Sequence, residues 1–515
     1  MTSRERYDFV IIGSGPAGQQ AAIQACKAGR TVLMVEKDRR LGGACVHKGT
    51  IPSKTLRETT VVMNRFLERN EGVCKVDLAA DVRVESLLTS LDRVIAGHVQ
   101  YMGARLDRLG VELVQGKASF VAPHEVEVKD PRGSRKVVHG EFVVIATGST
   151  PRRPPEIEID HERIYDSDSI LSMTYLPESL IVLGGGVIAS EYASIFSALG
   201  VQVTMVDRAD RPLCFLDADL TDRFLEAFER TGGTYIGCDT PKRVEWNGFD
   251  AAIVETESGH RLEAEKVLVA LGRVPNIRDL NLDAAGVTLT DRGHVQVDMH
   301  CQTSTANVYA CGDVIGPPAL ASSSMEQGRR AALHALGMDV GVPAEMIPVG
   351  IYSVPELASV GLSEMAARER HGDVLVGRAA FDELARAQIA GHTEGLLKVV
   401  ADPNGEKILG ISILGEGATE LIHVGQMAMI TGASMQTFRE NIFNFPTLAE
   451  AYRVAALDIE MQRRKRAEGE GVEHEPGPSP ACSVLTEDGC SPGDGTGNEL
   501  PASPADGSSS TDRAA

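Results

Sequence analysis

Cys45 stands in the stretch "GGACVHKGTIPSK", residues 42–54, and Thr50 follows it by five positions. A second cysteine at that spacing would give a C-x-x-x-x-C pair able to carry two electrons as dithiol and disulfide. A threonine forms neither thiolate nor disulfide. Upstream, Gly13-x-Gly15-x-x-Gly18 lies between the apolar run "YDFVII" and a stretch of helix formers, and Glu36 closes the next apolar run. This pattern suits a dinucleotide. Gly13 allows the tight turn, Gly15 lets the backbone approach a pyrophosphate, and Gly18 lets helix and strand pack closely. The helix N-terminus offers N–H groups to the phosphates, and Glu36 can accept from both ribose hydroxyls.

The pattern occurs twice. Gly184-x-Gly186-x-x-Ala189 follows "SLIVLG", and Asp207 closes the strand after it. Asp207 favours a free ribose 2′-hydroxyl, as in NAD, and repels a 2′-phosphate. Arg208 and Arg211 follow at once, and guanidinium forks suit a phosphate, so the nucleotide preference reads as mixed. A third motif, "VYACGDVIG" at 308–316, places Asp313 after a strand, where a carboxylate can bond a sugar-like polyol.

Positioning these groups requires two strand–turn–helix–strand units, at 7–36 and 179–207, a weak internal repeat. Residues 54–110 read as helical, 111–147 as strands and turns ending in "EFVVIATG", and 346–462 as an alternating α+β domain. The fold class is therefore α/β, with two nucleotide-binding Rossmann-like domains and an α+β C-terminal domain. The expected boundaries are 1–150 for the first domain, 151–275 for the second, 276–345 for a return to the first and 346–462 for the third. From 463 to 515 the composition predicts a disordered acidic tail. Residues 467–515 hold ten Asp and Glu against one Arg and are rich in Gly, Pro and Ser.

The bulk properties agree with a soluble multidomain protein. The chain has 515 residues, 43% hydrophobic and 24% charged, with a net charge of −21. That acidity argues against nucleic acid or an anionic membrane as partner. No run of about 18 apolar residues predicts a membrane span, and the charged N-terminus is unlike a signal peptide. Nine cysteines without C-x-x-C spacing read as thiols of a cytoplasmic protein rather than a disulfide framework, and no metal is expected.

Taken together, Gly13–Gly18, Glu36, "GGACVHKGTIPSK", "ATG" at 146–148, the second fingerprint, "GRVPN" at 272–276 and "CGD" at 311–313 resemble the pyridine nucleotide–disulfide oxidoreductases. These are the dihydrolipoamide dehydrogenase and glutathione reductase relatives, and the resemblance covers about residues 6–460. It implies FAD on the first unit, held by Gly13, Gly15, Gly18, Glu36, Lys37, Gly43, Cys45, Lys54, Gly148 and Asp313. It implies NAD or NADP on the second, held by Gly184, Gly186, Ala189, Glu191, Asp207, Arg208, Arg211, Gly272 and Arg273. It makes Lys54 and Glu191 an ion pair at the flavin edge, with Val187 where relatives gate the flavin. It also makes the C-terminal domain a dimerisation domain, so that the partner is a second copy, in a homodimer or higher homo-oligomer.

The departures are informative. The family has a second cysteine where Thr50 stands, and a proton-transferring histidine where Phe445 stands in "NFPTLAE", residues 444–450. Phe has no titratable proton. With both parts of the thiol relay missing and both nucleotide motifs intact, the resemblance implies hydride passing from NADPH to flavin and from flavin to NAD⁺. That is the Si-specific branch of the family, with Cys45 a passive thiol. A reductase using another acceptor and a non-catalytic flavin-binding subunit are the alternatives. The first would want a second cysteine near position 50 or a histidine at 445, and the second would tolerate decay of a nucleotide motif.

Overall fold

The computed structural model describes residues 5–70, 87–88, 90–342 and 345–468. The first unit is built on β1 (Arg6–Ile12), α1 (Pro16–Lys27) and β2 (Val32–Glu36). Phe9–Ile12 and all of β2 are buried, as strands covered on both faces must be. β1 pairs in parallel with β2 and with the strand Arg135–Ile145. The strand Val308–Ala310 pairs with Arg135–Ile145 in turn, so a segment far down the chain completes this sheet. A long helix, α2 (Thr50–Asn70), carries the end of the Cys45 stretch away from it.

The second unit repeats the plan with β3 (Ser179–Leu183), α3 (Val187–Ala198) and β4 (Gln202–Val206) in a five-stranded sheet that is parallel throughout. α4 (Ala218–Arg230) follows. The third unit is a five-stranded antiparallel sheet from β5 (Val349–Ile351) to Leu375–Ala380. α5 (Ala418–Ile430) and α6 (Glu450–Ala467) cover it over one apolar core.

α6 continues to Ala467, so residues 463–467, expected to begin the tail, are helical. Arg464, Lys465 and Arg466 fall in its last turn, where cations oppose the helix dipole, and Arg463 and Arg464 pair with Glu460 one turn back. The rest of the expected tail, from 469, lies outside the described residues. Cys26, Cys45, Cys301 and Cys311 are free thiols, whereas Cys214 is disulfide-bonded.

The second and third units meet along a seam with an apolar and an ionic part. Leu213, Leu216, Leu220 and Phe224 pack on Ile351, Leu357 and Leu414, with Val187 at the edge. Beside them Lys398, 2% exposed, lies 3.1 Å from Asp217, 2.9 Å from Asp219 and 2.8 Å from Glu364. Burial alone would raise the Glu364 carboxyl. The Lys398 charge and the Arg368 hydrogen bonds outweigh it and hold that carboxyl at about 2. A carboxyl depressed in the folded state stabilises fully above its unfolded pKa, and the contribution fades as pH falls through the folded value. Glu364→Gln should therefore lower stability at neutral pH. It should also remove about 3 kcal/mol of the acid-dependent loss between roughly pH 4.5 and 2. Urea melts across that range measure this, and parallel curves for parent and variant would contradict it.

Candidate functional site

The three units enclose a cleft of about 1550 Å³ running from the first glycine turn to the start of α3. At the first turn Gly13 has φ +107°, and a Cβ there would lie 2.3 Å from the Ala146 carbonyl oxygen. A Cβ on Gly18 would lie 2.0 Å from the Gly13 carbonyl oxygen, so only glycine lets α1 pack this close. Gly15 differs: a Cβ there meets nothing within 4 Å, and the space it would enter is the cleft. Gly43 packs directly against Gly15, where a Cβ on Gly43 would lie 3.1 Å from Gly15 Cα, and lines the same cleft.

Glu36 sits at the end of β2 beneath the turn. Its Oε2 accepts from Ser14 N at 2.9 Å and Ser14 Oγ at 2.6 Å, and its Oε1 accepts from Asp38 N at 2.9 Å. Each carboxylate oxygen keeps acceptor capacity for a ribose hydroxyl. Lys37, Gly148 and Asp313 line the same cleft, and Asp313 Oδ2 accepts from Ser149 Oγ at 2.7 Å. The hydroxyls of Thr147 and Tyr192 are buried, line the cleft and lack a hydrogen-bond partner among the described residues. Buried polar atoms without partners are costly. With an open cradle at Gly15, they fit a large polar ligand of the FAD type.

At the centre of the cleft, Lys54 on α2 meets Glu191 on α3, 137 residues apart, with Nζ 2.8 and 2.7 Å from the carboxylate oxygens. The Tyr352 backbone N–H donates to Glu191 Oε1 at 2.9 Å, and the Tyr352 ring lies 4.9 Å from Lys54 Nζ. Cys45 is close by. Burial pushes its thiol up, opposed by a hydrogen bond with Thr50 and by the Lys54 charge. It is thus held as a thiol against a hydroxyl, an environment opposite to that of a reactive thiolate. Phe445 is 69% exposed and is not part of this cleft.

The second glycine turn reproduces the first. Gly184 has φ +117°, and a Cβ there would lie 2.6 Å from the Ala270 carbonyl oxygen, while one on Gly186 meets nothing within 4 Å. Ala189 is fully buried beneath it. Asp207 packs under the turn so closely that a Cβ on Gly185 would lie 2.8 Å from its Oδ2. Burial raises the Asp207 carboxyl against the pull of the N–H groups of Ala209, Arg208 and Gly185. Arg208 is exposed beside it. Arg211 lies 3.7 Å from Asp210, with its Nε buried and unpartnered among the described residues. This turn stands outside the walls of the main cleft, which takes in only Val187, Ile188, Glu191 and Tyr192 from α3. Gly272 adopts φ +97°, and the Arg273 guanidinium bonds Ser149, Ser167 and Asp168, bracing the wall.

Sequence reasoning missed several residues here. Tyr352, Thr419, His423 and Gln426 enter the cleft from the third unit. Arg57 on α2 is anchored there too, through Glu356 at 2.8 Å, and Glu356 accepts from Thr419 N and Oγ1. No local motif marks these positions. The one signal was the polar pair His423 and Gln426 in the otherwise apolar stretch that follows Glu420 in this helix.

Comparison with known proteins bears on this geometry. The family model for pyridine nucleotide-disulphide oxidoreductases matches residues 7–328, and the model for their dimerisation domain matches 347–456. A soluble pyridine nucleotide transhydrogenase of Mycobacterium tuberculosis is 41% identical over 460 residues, covering 88% of this chain and 97% of that protein. One from Vibrio vulnificus is 40% identical over 464 residues, covering 89% and 99%. Among solved structures, LpdA from Mycobacterium tuberculosis superposes with a TM-score of 0.81 at 26% identity over 88% of this chain and 99% of that one. The flavoprotein disulfide reductase RclA from Escherichia coli gives 0.78 at 28% identity, with the same coverage.

Proposed function

The chain belongs to the pyridine nucleotide-disulphide oxidoreductase family, and from that premise we propose that it is a transhydrogenase moving hydride from NADPH to NAD⁺ without a redox disulfide. It is a flavoprotein oxidoreductase, with FAD as cofactor and NAD(P) as substrates. The observation that carries the reading is local. Cys45 has the Thr50 hydroxyl where a second thiol would stand, while the Lys54–Glu191 pair beside it is intact.

FAD, when bound, supplies a two-electron carrier that accepts a hydride from one nicotinamide and returns it to another. The chain binds and orients. The turn at Gly13, Gly15 and Gly18 admits the pyrophosphate, Glu36 accepts from the adenosine ribose, and Asp313 with Ser149 meets the polyol. Lys54, fixed by Glu191, holds a positive charge where negative charge develops, in a cleft that Val187 and Tyr352 help close to water. On the second unit, Asp207 accepts from the NAD⁺ ribose. Arg208, exposed beside it, pairs with the NADPH 2′-phosphate more readily than Arg211, which faces Asp210. A single stretch of α3 lines the cleft, which supports one nicotinamide position used in turn, a ping-pong order. NADPH and NAD⁺ become NADP⁺ and NADH with no net proton, so Phe445 costs this reaction nothing. The family's dimerisation domain supports a homodimer, and the reading is completed by the Si-specific class of transhydrogenase and a cytoplasmic setting.

The test is a steady-state assay with NADPH and the acetylpyridine analogue of NAD⁺. Turnover should be robust, and lipoamide and glutathione disulfide should be inert. Cys45→Ser should keep activity within about tenfold in kcat. Arg208→Ala should raise the KM for NADPH about tenfold and leave that for NAD⁺ nearly unchanged. Lipoamide turnover comparable to hydride exchange between nucleotides would overturn the reading.

A further inference from the structure

The segment 208–216 carries Arg208 and Arg211 from the end of β4 to the start of α4. Near its beginning, the Ala209 carbonyl oxygen accepts from Tyr235 Oη and from Cys238 N, both at 3.0 Å. In its middle, Leu213 N donates to the carbonyl oxygen of Gly185, inside the second glycine turn, at 2.8 Å. Leu213 adopts φ +53°, a region that leucine seldom enters and that the surroundings must impose. Those surroundings belong to the third unit, since Leu213 and Leu216 are buried against Ile351, Leu357 and Leu414.

The far end of the segment is also held from outside its own unit. Asp217 stands just before α4, where a carboxylate ordinarily caps the helix that follows, yet its side chain makes no such bond. Its Oδ1 and Oδ2 accept instead from Glu364 N at 2.9 and 3.1 Å, and Oδ2 lies 3.1 Å from Lys398 Nζ. Glu364 opens the helix Glu364–His371, which already has Ser363 as its cap, the Ser363 hydroxyl accepting from Ala366 N. Asp217 therefore spends its whole carboxylate on a helix and a lysine of the third unit.

We propose that Asp217 is a positioning residue: anchored on Lys398 and the Glu364 N–H, it fixes the 208–216 segment against the second glycine turn and so sets the preference between a ribose 2′-phosphate and a 2′-hydroxyl. This rests on the roles given above to Asp207 and Arg208 and deepens them. The two readers depend on the anchor unequally. Asp207 N donates to the Ile236 carbonyl oxygen at 3.1 Å and its side chain packs under Gly185, so the strands of the second unit hold the hydroxyl reader by themselves. Arg208 is exposed on the segment itself, and a long side chain pairs with a phosphate only where its backbone puts it. Releasing the far end moves the phosphate reader and leaves the hydroxyl reader in place.

The test uses adenosine 2′,5′-bisphosphate and AMP, which carry and lack the 2′-phosphate and have no nicotinamide. Their dissociation constants are measured by calorimetry on the FAD-loaded protein. The parent should prefer the bisphosphate by about tenfold or more. Asp217→Ala should remove most of that preference by weakening the bisphosphate about tenfold, with AMP held within about twofold. Asp217→Asn keeps an acceptor for the Glu364 N–H and loses the charge facing Lys398. It should weaken the bisphosphate about threefold, and it decides by the same criterion if the alanine variant is insoluble. Asp219→Asn is the control for a loosened seam. It removes a carboxylate 2.9 Å from Lys398 that is not part of the segment, and it should keep the parent's preference. Equal weakening of both probes in the Asp217 variants, an unchanged preference in them, or the same shift in Asp219→Asn overturns the proposal. A parent without preference removes the role of Arg208 and this proposal with it. Anaerobic bleaching of the parent flavin by NADPH tests hydride transfer separately. A flavin that stays oxidised would sink the transhydrogenase reading, while the two fragment affinities would still decide this one.

Discussion

Lys54→Met is expected to cost stability and flavin reduction together, and a second substitution should separate the two. Lys54 is the charge partner of Glu191, whose side chain is 5% exposed, so the variant leaves a buried carboxylate with only the Tyr352 N–H. Breaking a buried pair costs about 3–5 kcal/mol, and because Lys54 is itself 26% exposed the loss should fall nearer 2–3 kcal/mol. Removing a preorganised charge from a water-poor site typically lowers a rate by about a hundredfold to a thousandfold. The double variant Lys54→Met with Glu191→Leu removes the orphaned charge. It should recover most of the stability and none of the rate of flavin reduction by NADPH. Urea melts and anaerobic stopped-flow bleaching measure the two quantities on the same samples. If the double variant reduced its flavin at the parent rate, the pair would be a structural tie between α2 and α3.

The glycines of the first turn should divide into those that build the fold and one that receives the ligand. Gly18→Ala would put a methyl carbon 2.0 Å from the Gly13 carbonyl oxygen, a backbone atom that α1 and β1 hold in place. We expect that variant to be insoluble or without FAD. Gly15→Ala meets nothing within 4 Å, and Gly15 has φ −66°, which alanine adopts freely. Its apoprotein should melt within about 1 kcal/mol of the parent, the range of a neutral surface change. Its FAD affinity should fall about a hundredfold or more, because the methyl group occupies the space through which the backbone approaches the pyrophosphate. Fluorescence titration of the apoproteins with FAD gives the affinities. Parent-like FAD binding by Gly15→Ala would mean that no pyrophosphate reaches this turn.

The sequence was legible wherever a contact is set by neighbours along the chain. A glycine that must adopt positive φ, a carboxylate at the end of a parallel strand and a helix opening on a turn are local consequences of residue type, so residue type and spacing suffice to place Gly13, Gly184, Glu36 and Asp207. Thr50 in place of a second thiol is legible for the same reason, since the spacing from Cys45 is covalent. The pairing of Lys54 with Glu191 came from the resemblance, because nothing local brings positions 137 residues apart together.

Other features were decided only by tertiary packing. Tyr352, Thr419 and His423 reach the cleft because the third unit is held against α3 by an apolar seam and by the Lys398 cluster, both built from segments far apart in sequence. α6 extends through Ala467 although the composition turns polar near its end, because Glu460 pairs with the basic residues that follow it. Arg273 braces a wall because its neighbours there, Ser149 on the paired strand and Asp168, match its fork. The sequence by itself determined the backbone turns and the chemistry that is missing, since both depend on residue type at fixed spacing. The tertiary structure decided which side chains share a cleft and which charges cancel. Those outcomes depend on the relative placement of three units, and no periodicity within any one of them encodes it.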